Sequence, residues 1–305
     1  MNIRLILTSL GAGAALCAMP GTTRAQIFVT NENTGTIGEY TTSGVPVNPA
    51  LITGLSGPVR IALSGGNLFV ANGNGSTIGK YTTSGVPVNP ALVSGLNGPT
   101  GIALSGGNLF VASANVTNEF YRIGEYTTSG ATVNPVLIPE VGSVADIAVS
   151  GDKLFVVDSI DGIIGEYTTS GATVNPNLIT GLNFPNSIAV SGGNLFVTNL
   201  DTGTIGEYTT SGVPVNPALI TGLSVPVGIA GSGGNLFVTN FFNGTIGEYT
   251  TSGATVNAAL VSGLNSPLGI AVVSASVPDA SSTWTLLLLA LTAMFGLKSL
   301  LRRPA

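Results

Sequence analysis

Histidine is absent from the 305 residues, and the single cysteine is Cys17. Without histidine there is no Ser-His-Asp triad, no Cys-His dyad and no His-ligated zinc or non-haem iron. Charge is scarce too, with nine Lys and Arg against 14 Asp and Glu, 8% of the chain. Five of the nine basic residues (Arg4, Arg24, Lys298, Arg302, Arg303) lie near the two ends. Residues 26–273 keep four basic against thirteen acidic residues, a net of −9. Such an acidic body excludes nucleic acid as an expected partner. Low charge does not mean disorder here, because Ile, Leu, Val and Phe are plentiful and regularly placed. No Gly-rich loop precedes a helix, so nucleotide binding has no motif behind it.

The ends read as addresses. Residues 1–25 have a basic start at Arg4, an apolar run from Leu5 to Met19 and small residues before Ala25. That pattern predicts a secretory signal peptide cut after Ala25, with Thr23 at the −3 position. Cys17 lies inside it, so the mature chain has no disulfide to staple it. Residues 274–305 form a tail in which Ala280 to Leu297 carries no charge and Lys298, Arg302 and Arg303 follow. This predicts a transmembrane helix over 283–301 with its basic end on the cytoplasmic side. A short Val277-Pro278-Asp279 motif, an apolar helix and a terminal Arg cluster together resemble the bacterial PEP-CTERM sorting tail in its VPD-type variant. The resemblance implies an exosortase-like processing enzyme that cuts near the motif and passes the body to the cell surface or extracellular matrix. A permanent anchor satisfies the same hydropathy rule. Both readings make the protein exported, with the membrane a partner at least transiently.

Between the ends lie six copies of one unit. The dipeptide Phe-Val, preceded by Ile or Leu, begins its repeats at residues 27, 68, 109, 154, 195 and 236. Two copies, Gly35–Ser56 and Gly203–Ser224, match without a break. A fixed period near 40 residues predicts a propeller or a solenoid. Each unit reads as four short strands separated by Ser-Gly-Gly-Asn and Thr-Thr-Ser-Gly turns, with no helical periodicity between them. The fourth carries proline, as at Pro46 and Pro49, which places it at a sheet edge. Residues 26–273 start with a second strand and end with a first strand, so the two ends complete one blade together. The expected fold is therefore all-β, a closed six-bladed propeller of four-stranded blades. The Pro-x-Gly-Ile-Ala, Leu-Phe-Val and Ile-x-x-Tyr elements resemble NHL-type six-bladed propellers, a resemblance that implies fold rather than function.

Residues that recur in every blade are expected to serve the blade. The six tyrosines from Tyr40 to Tyr249 are read as inter-blade packing. Glu39, Glu125, Glu166, Glu207 and Glu248, with Lys80 in the remaining copy, are read as structural bonds to a neighbouring backbone or turn. The connections between second and third strands differ in every copy, and the extra length of the 45-residue spacing falls at 113–122, which holds Glu119 and Tyr121. Loops that diverge over a uniform scaffold are what a binding face shows, and neutral drift of solvated loops shows the same, so this face is a candidate only. On that face the residue before Ile-Ala of the innermost strand is Arg60, Gly101, Asp146, Ser187, Gly228 or Gly269. Arg60 and Asp146 read either as an ion pair across the channel or as a ligand-orienting pair, beside Asn186. The candidate ligand-binding residues are thus Arg60, Asp146, Asn186, Glu119 and Tyr121.

No cofactor, metal site or catalytic residue is assigned. Asp158 and Asp161 lack the spacing and glycine of a calcium loop, so Ca or another divalent cation has no motif. Two functions remain: a non-catalytic binding or scaffold module for envelope polysaccharide or surface proteins, and a metal-assisted lactonase or other hydrolase at the channel mouth. The first is the primary expectation.

Overall fold

The computed structural model describes residues 25–115 and 120–274. The signal peptide, the sorting motif Val277-Pro278-Asp279, the helix over 283–301 and Glu119 fall outside the described residues. Among the described residues no helix is long and apolar enough to cross a membrane.

Every described element is a strand, and the strands form six four-stranded antiparallel sheets. Blade 1 opens with β1 (Gln26–Asn31), β2 (Thr36–Thr41) and β3 (Pro46–Ile52). Blade 2 is β4 (Pro58–Ser64), β5 (Asn67–Asn72), β6 (Thr77–Thr82) and β7 (Pro87–Val93). Blade 3 is β8 (Pro99–Ser105), β9 (Asn108–Ala114), β10 (Tyr121–Thr127) and β11 (Thr132–Val141). Blade 4 is β12 (Val144–Ser150), β13 (Lys153–Asp158), β14 (Ile163–Thr168) and β15 (Thr173–Ile179). Blade 5 is β16 (Pro185–Ser191), β17 (Asn194–Asn199), β18 (Thr204–Thr209) and β19 (Pro214–Ile220). Blade 6 is β20 (Pro226–Ser232), β21 (Asn235–Asn240), β22 (Thr245–Thr250) and β23 (Thr255–Val261), and the last strand is β24 (Pro267–Val273).

β24 pairs antiparallel with β1, Ile27 opposite Val272 and Val29 opposite Ile270, so blade 1 is built from both ends of the repeat array. The innermost strands β24, β4, β8, β12, β16 and β20 each touch the next and the last returns to the first, closing a six-bladed propeller. In blades 1 to 5 the outermost strand carries a proline within it (Pro49, Pro90, Pro135, Pro176, Pro217), where a missing N–H is tolerated at an edge, and the prolines of the innermost strands stand only at their first residue.

The core lies between blades. In the Leu-Phe-Val run, alternation sends Leu68 and Val70 toward blade 1 and Phe69 toward blade 3. Phe28, Phe69, Phe110, Phe155, Phe196 and Phe237 are each at most 2% exposed, and each packs on the Leu or Ile and Val of the next blade. The sixth interface, between blades 6 and 1, holds Phe237, Ile246 and Val261 against Ile27, Val29 and Ile270.

Each tyrosine joins one of these interfaces, as the repeat pattern predicted. Its ring lies back along its own strand over the glycine two residues earlier. A Cβ added at Gly38 would stand 2.9 Å from Tyr40 Cε2 and 3.1 Å from the Pro49 carbonyl oxygen, so glycine is needed for the close approach. The recurring glutamates bond a side chain at the start of the strand beside them rather than a turn. Glu125, Glu207 and Glu248 accept from the amides of Asn108, Asn194 and Asn235 at 2.6 Å, and Glu39 accepts from Gln26. Glu166 instead meets Lys153 Nζ at 2.6 Å. Lys80 donates to the Thr128 carbonyl at 3.0 Å and lies over the Phe69 ring.

Burial pushes the phenols of Tyr40, Tyr81, Tyr126, Tyr167, Tyr208 and Tyr249 up. In the unfolded chain they ionise near ~10. Above that pH the native state holds more protons than the unfolded one, so stability falls as pH rises. The urea midpoint is expected to be constant from neutrality to about pH 9.5 and to fall steeply above about pH 10. A midpoint that stays flat through pH 11 contradicts buried rings.

Candidate functional site

The channel mouth gathers three of the five candidate residues. Arg60 on β4 and Asp146 on β12 stand two blades apart, and Asn186 on β16 lies on the opposite side of the ring from Arg60. The Arg60 side chain crosses the axis. Its Nη2 donates to the Asn186 carbonyl at 2.9 Å and to Asn186 Oδ1 at 2.8 Å, and its Nη1 donates to the Val59 carbonyl at 3.3 Å. Its Nε is 3.3 Å from Asp146 Oδ2, placed as an ion contact rather than a directed hydrogen bond. Asp146 also accepts from the Ile147 N–H at 2.9 Å and from the Ser187 hydroxyl at 2.6 Å.

These groups are buried, Arg60 and Asp146 at 7% and 6% exposure. The cavity they border is about 90 Å³ and is ringed by isoleucines, one from each innermost strand. Burial pushes the Asp146 carboxyl up, more than Arg60, Ser187 and two backbone N–H groups draw it down. The cluster is an internally bonded plug in which Arg60 Nη1 and Nη2 and the Asp146 carboxylate bond within the chain, while Arg60 Nε has only the ion contact. Gly101 and Gly269 stand at the equivalent positions, where a Cβ would press on the backbone of Asp146 and Arg60 at 3.1 and 2.8 Å. Their smallness makes room for the plug.

The expected loop placement of Tyr121 is corrected. It does not lie in a loop, because the ladder continues with Tyr121 opposite Ala114 and Arg122 opposite Ser113. Tyr121 is half-buried against the core between blades 3 and 4 and does not border the channel. The loop of the long repeat is therefore shorter than 113–122, and β11 likewise runs on to Val141 where other blades turn.

Residues that the repeat comparison passed over form a second concavity. Between blades 3 and 4, on the same face, two adjoining cavities of about 210 and 270 Å³ share Phe120, Gly142, Asp158 and Asp161. Glu140 borders the first and Ile160 the second. Among the described residues no group of three or more Cys, Asp or Glu side chains is placed to hold a metal ion.

No protein-family model matches the sequence, and no curated protein matches it. Solved structures do. A chain of a nidogen–laminin complex superposes with a TM-score of 0.68 at 15% identity, covering 81% of this chain and 98% of that one. A streptogramin B lyase gives 0.59 at 22% identity, covering 82% and 85%. A gluconolactonase from Xanthomonas campestris gives 0.56 at 13% identity, covering 67% and 74%. At these identities the similarity is one of fold, and it spans a partner-binding protein and two enzymes.

Removing one member of the plug strands the other. Asp146→Ala leaves Arg60 buried without its counter-charge and is expected to cost about 3–5 kcal/mol in chemical denaturation. The double variant Arg60→Gly with Asp146→Gly, which installs the residue of three other blades, is expected to be more stable than Asp146→Ala alone. A double variant less stable by the sum of both single changes contradicts the coupled plug.

Proposed function

We propose that the protein is an exported propeller that binds a partner through its variable loop face without catalysing a reaction. The observation that carries this reading is the division of variation in the molecule. The turns on one face repeat almost unchanged, whereas the connections on the other differ in every blade and border the blade 3–4 cavities. Uniform blades supply rigidity and divergent loops supply recognition. The axial cluster supports the same reading, because its charged groups are committed to one another and present no free nucleophile, acid or base.

The partner is envelope polysaccharide or another surface protein. Delivery follows from the two ends of the sequence: a signal peptide over 1–25, then sorting at Val277-Pro278-Asp279 by an exosortase-type enzyme. Mass spectrometry of the protein from envelope and medium fractions of its native host tests the delivery. A form that starts at Gln26 and ends near Asp279 is expected, and an intact chain in the membrane contradicts sorting. Co-sedimentation with isolated envelope polysaccharide or surface protein tests the binding. Substitutions in the variable connections are expected to abolish it, and substitutions in the repeated turns of the other face to leave it unchanged. Stoichiometric uptake of a divalent cation, lost in Asp146→Asn, contradicts the non-catalytic reading and favours a hydrolase.

A further inference from the structure

Two loop positions on the variable face are joined in the same way around most of the ring. The residue before the innermost strand offers its carbonyl to the N–H of the first residue after the second strand. The pair is Ser266 with Glu32 in blade 1, Gly57 with Gly73 in blade 2 and Ser143 with Ser159 in blade 4. In blades 5 and 6 it is Phe184 with Leu200 at 3.1 Å and Val225 with Phe241 at 3.0 Å. Phe242 follows, where blades 1 and 2 carry Asn33 and Asn74. Two neighbouring blades thus hold five apolar residues at positions that blades 1 and 2 fill with small or polar ones.

Packing gives no reason for them. None of the five belongs to an inter-blade cluster, and Phe184 and Phe242 are 44% and 75% exposed. The Phe242 ring stands edge-on to Phe241, with centroids 5.6 Å apart. Backbone energetics oppose them as well. Phe184 and Val225 both sit at φ +52°, in the left-handed region, where blades 2 and 3 carry Gly57 at +60° and Gly98 at +50°. An aromatic and a β-branched side chain are poorly suited to that conformation. These residues lower stability twice, by strain and by exposure, and backbone strain gathers where a surface is in use.

The chemistry of the patch selects its occupant. All five side chains lack a hydrogen-bonding group, which a polysaccharide would require. Asp201 follows Leu200, Asp161 stands in the same connection of blade 4, and both are exposed. The variable-face connections of blades 4 to 6 contain no Lys or Arg. This acidic border, on a body of net charge −9, opposes an anionic membrane. Its complement is an apolar segment bordered by basic residues.

We infer that the loops of blades 5 and 6 dock a basic amphipathic segment of a partner protein. Its apolar side chains lie on Phe184, Leu200, Val225, Phe241 and Phe242, and its Lys or Arg residues face Asp161 and Asp201. This rests on the loop-face reading above and selects protein over polysaccharide.

Fluorescence anisotropy with the full chain and a labelled amphipathic leucine–lysine peptide tests it. Saturable binding is expected, weakened by about tenfold or more in Phe184→Gly and in Phe242→Asn. The urea midpoint of each variant is expected not to fall, because Gly57 and Gly98, or Asn33 and Asn74, already hold the same positions. Leucine–glutamate and glutamine–lysine peptides are expected to bind more weakly. No binding, unchanged affinity in both variants, or a midpoint that falls with the affinity overturns the docking surface. Equal binding of either control peptide overturns the basic amphipathic partner. Partition onto phosphatidylcholine vesicles that Phe242→Asn abolishes marks a membrane contact and overturns the protein assignment. If surface protein or polysaccharide still co-sediments with both variants, the loop-face reading stands and this inference alone fails.

Discussion

The pairing of β1 with β24 is the contact on which the rest of the molecule depends. Without it blade 1 keeps only β1 to β3, Ile270 and Ala271 leave their inter-blade clusters, and the ring opens between β24 and β1. Because the core lies between blades rather than within them, no blade buries its apolar faces alone. Each phenylalanine needs the next blade, and the sixth needs the first. With a single cysteine and so no internal disulfide, the chain holds the two ends of the repeat array together by this ladder and by the side chains that it places in two adjacent interfaces.

Closure also decides where the sequence is free to vary. Positions facing a neighbouring blade are fixed by packing on both sides, which is why Leu-Phe-Val and the tyrosine over its glycine recur. Connections on one face bear no such load. The innermost ring allows a limited exception: an arginine and an aspartate replace small residues, made tolerable by Asn186, Ser187 and the glycines beside them. Burial opposes the Asp146 charge, and the network only partly offsets it. The plug is thus a specific and conditional feature on a repetitive scaffold. The blade 3–4 cleft is another, where Asp158 stands over Gly142.

Most of the architecture was legible in the sequence. Alternation within Leu-Phe-Val and the position of proline identified the strands and their radial order, and the out-of-phase start and finish identified closure. Arg60 and Asp146 were visible as opposite charges in a column of small residues, and Asn186 as their neighbour. The direction of the Arg60 side chain, across the axis to a blade three positions away, was not visible because nothing local encodes it. Tyr121 was misplaced because a repeat insertion shows where length is added but not where the ladder resumes. The cleft was missed for a related reason. Gly142 and Asp158 belong to different blades, and their contact exists only after the ring has packed. The glutamate partners, Asn108 or Gln26, escaped because the bond runs diagonally between adjacent strands.

Hydrogen exchange tests the central claim most directly, which is that the six blades form one closed cooperative unit. If closure by β24 holds the ring, the slowest amides of β1, β5, β9, β13, β17 and β21 exchange together, through a single global opening with one dependence on denaturant. Blades that exchange separately, with protection rising from the ends toward the middle of the array, would mark an open, nearest-neighbour solenoid and contradict the account.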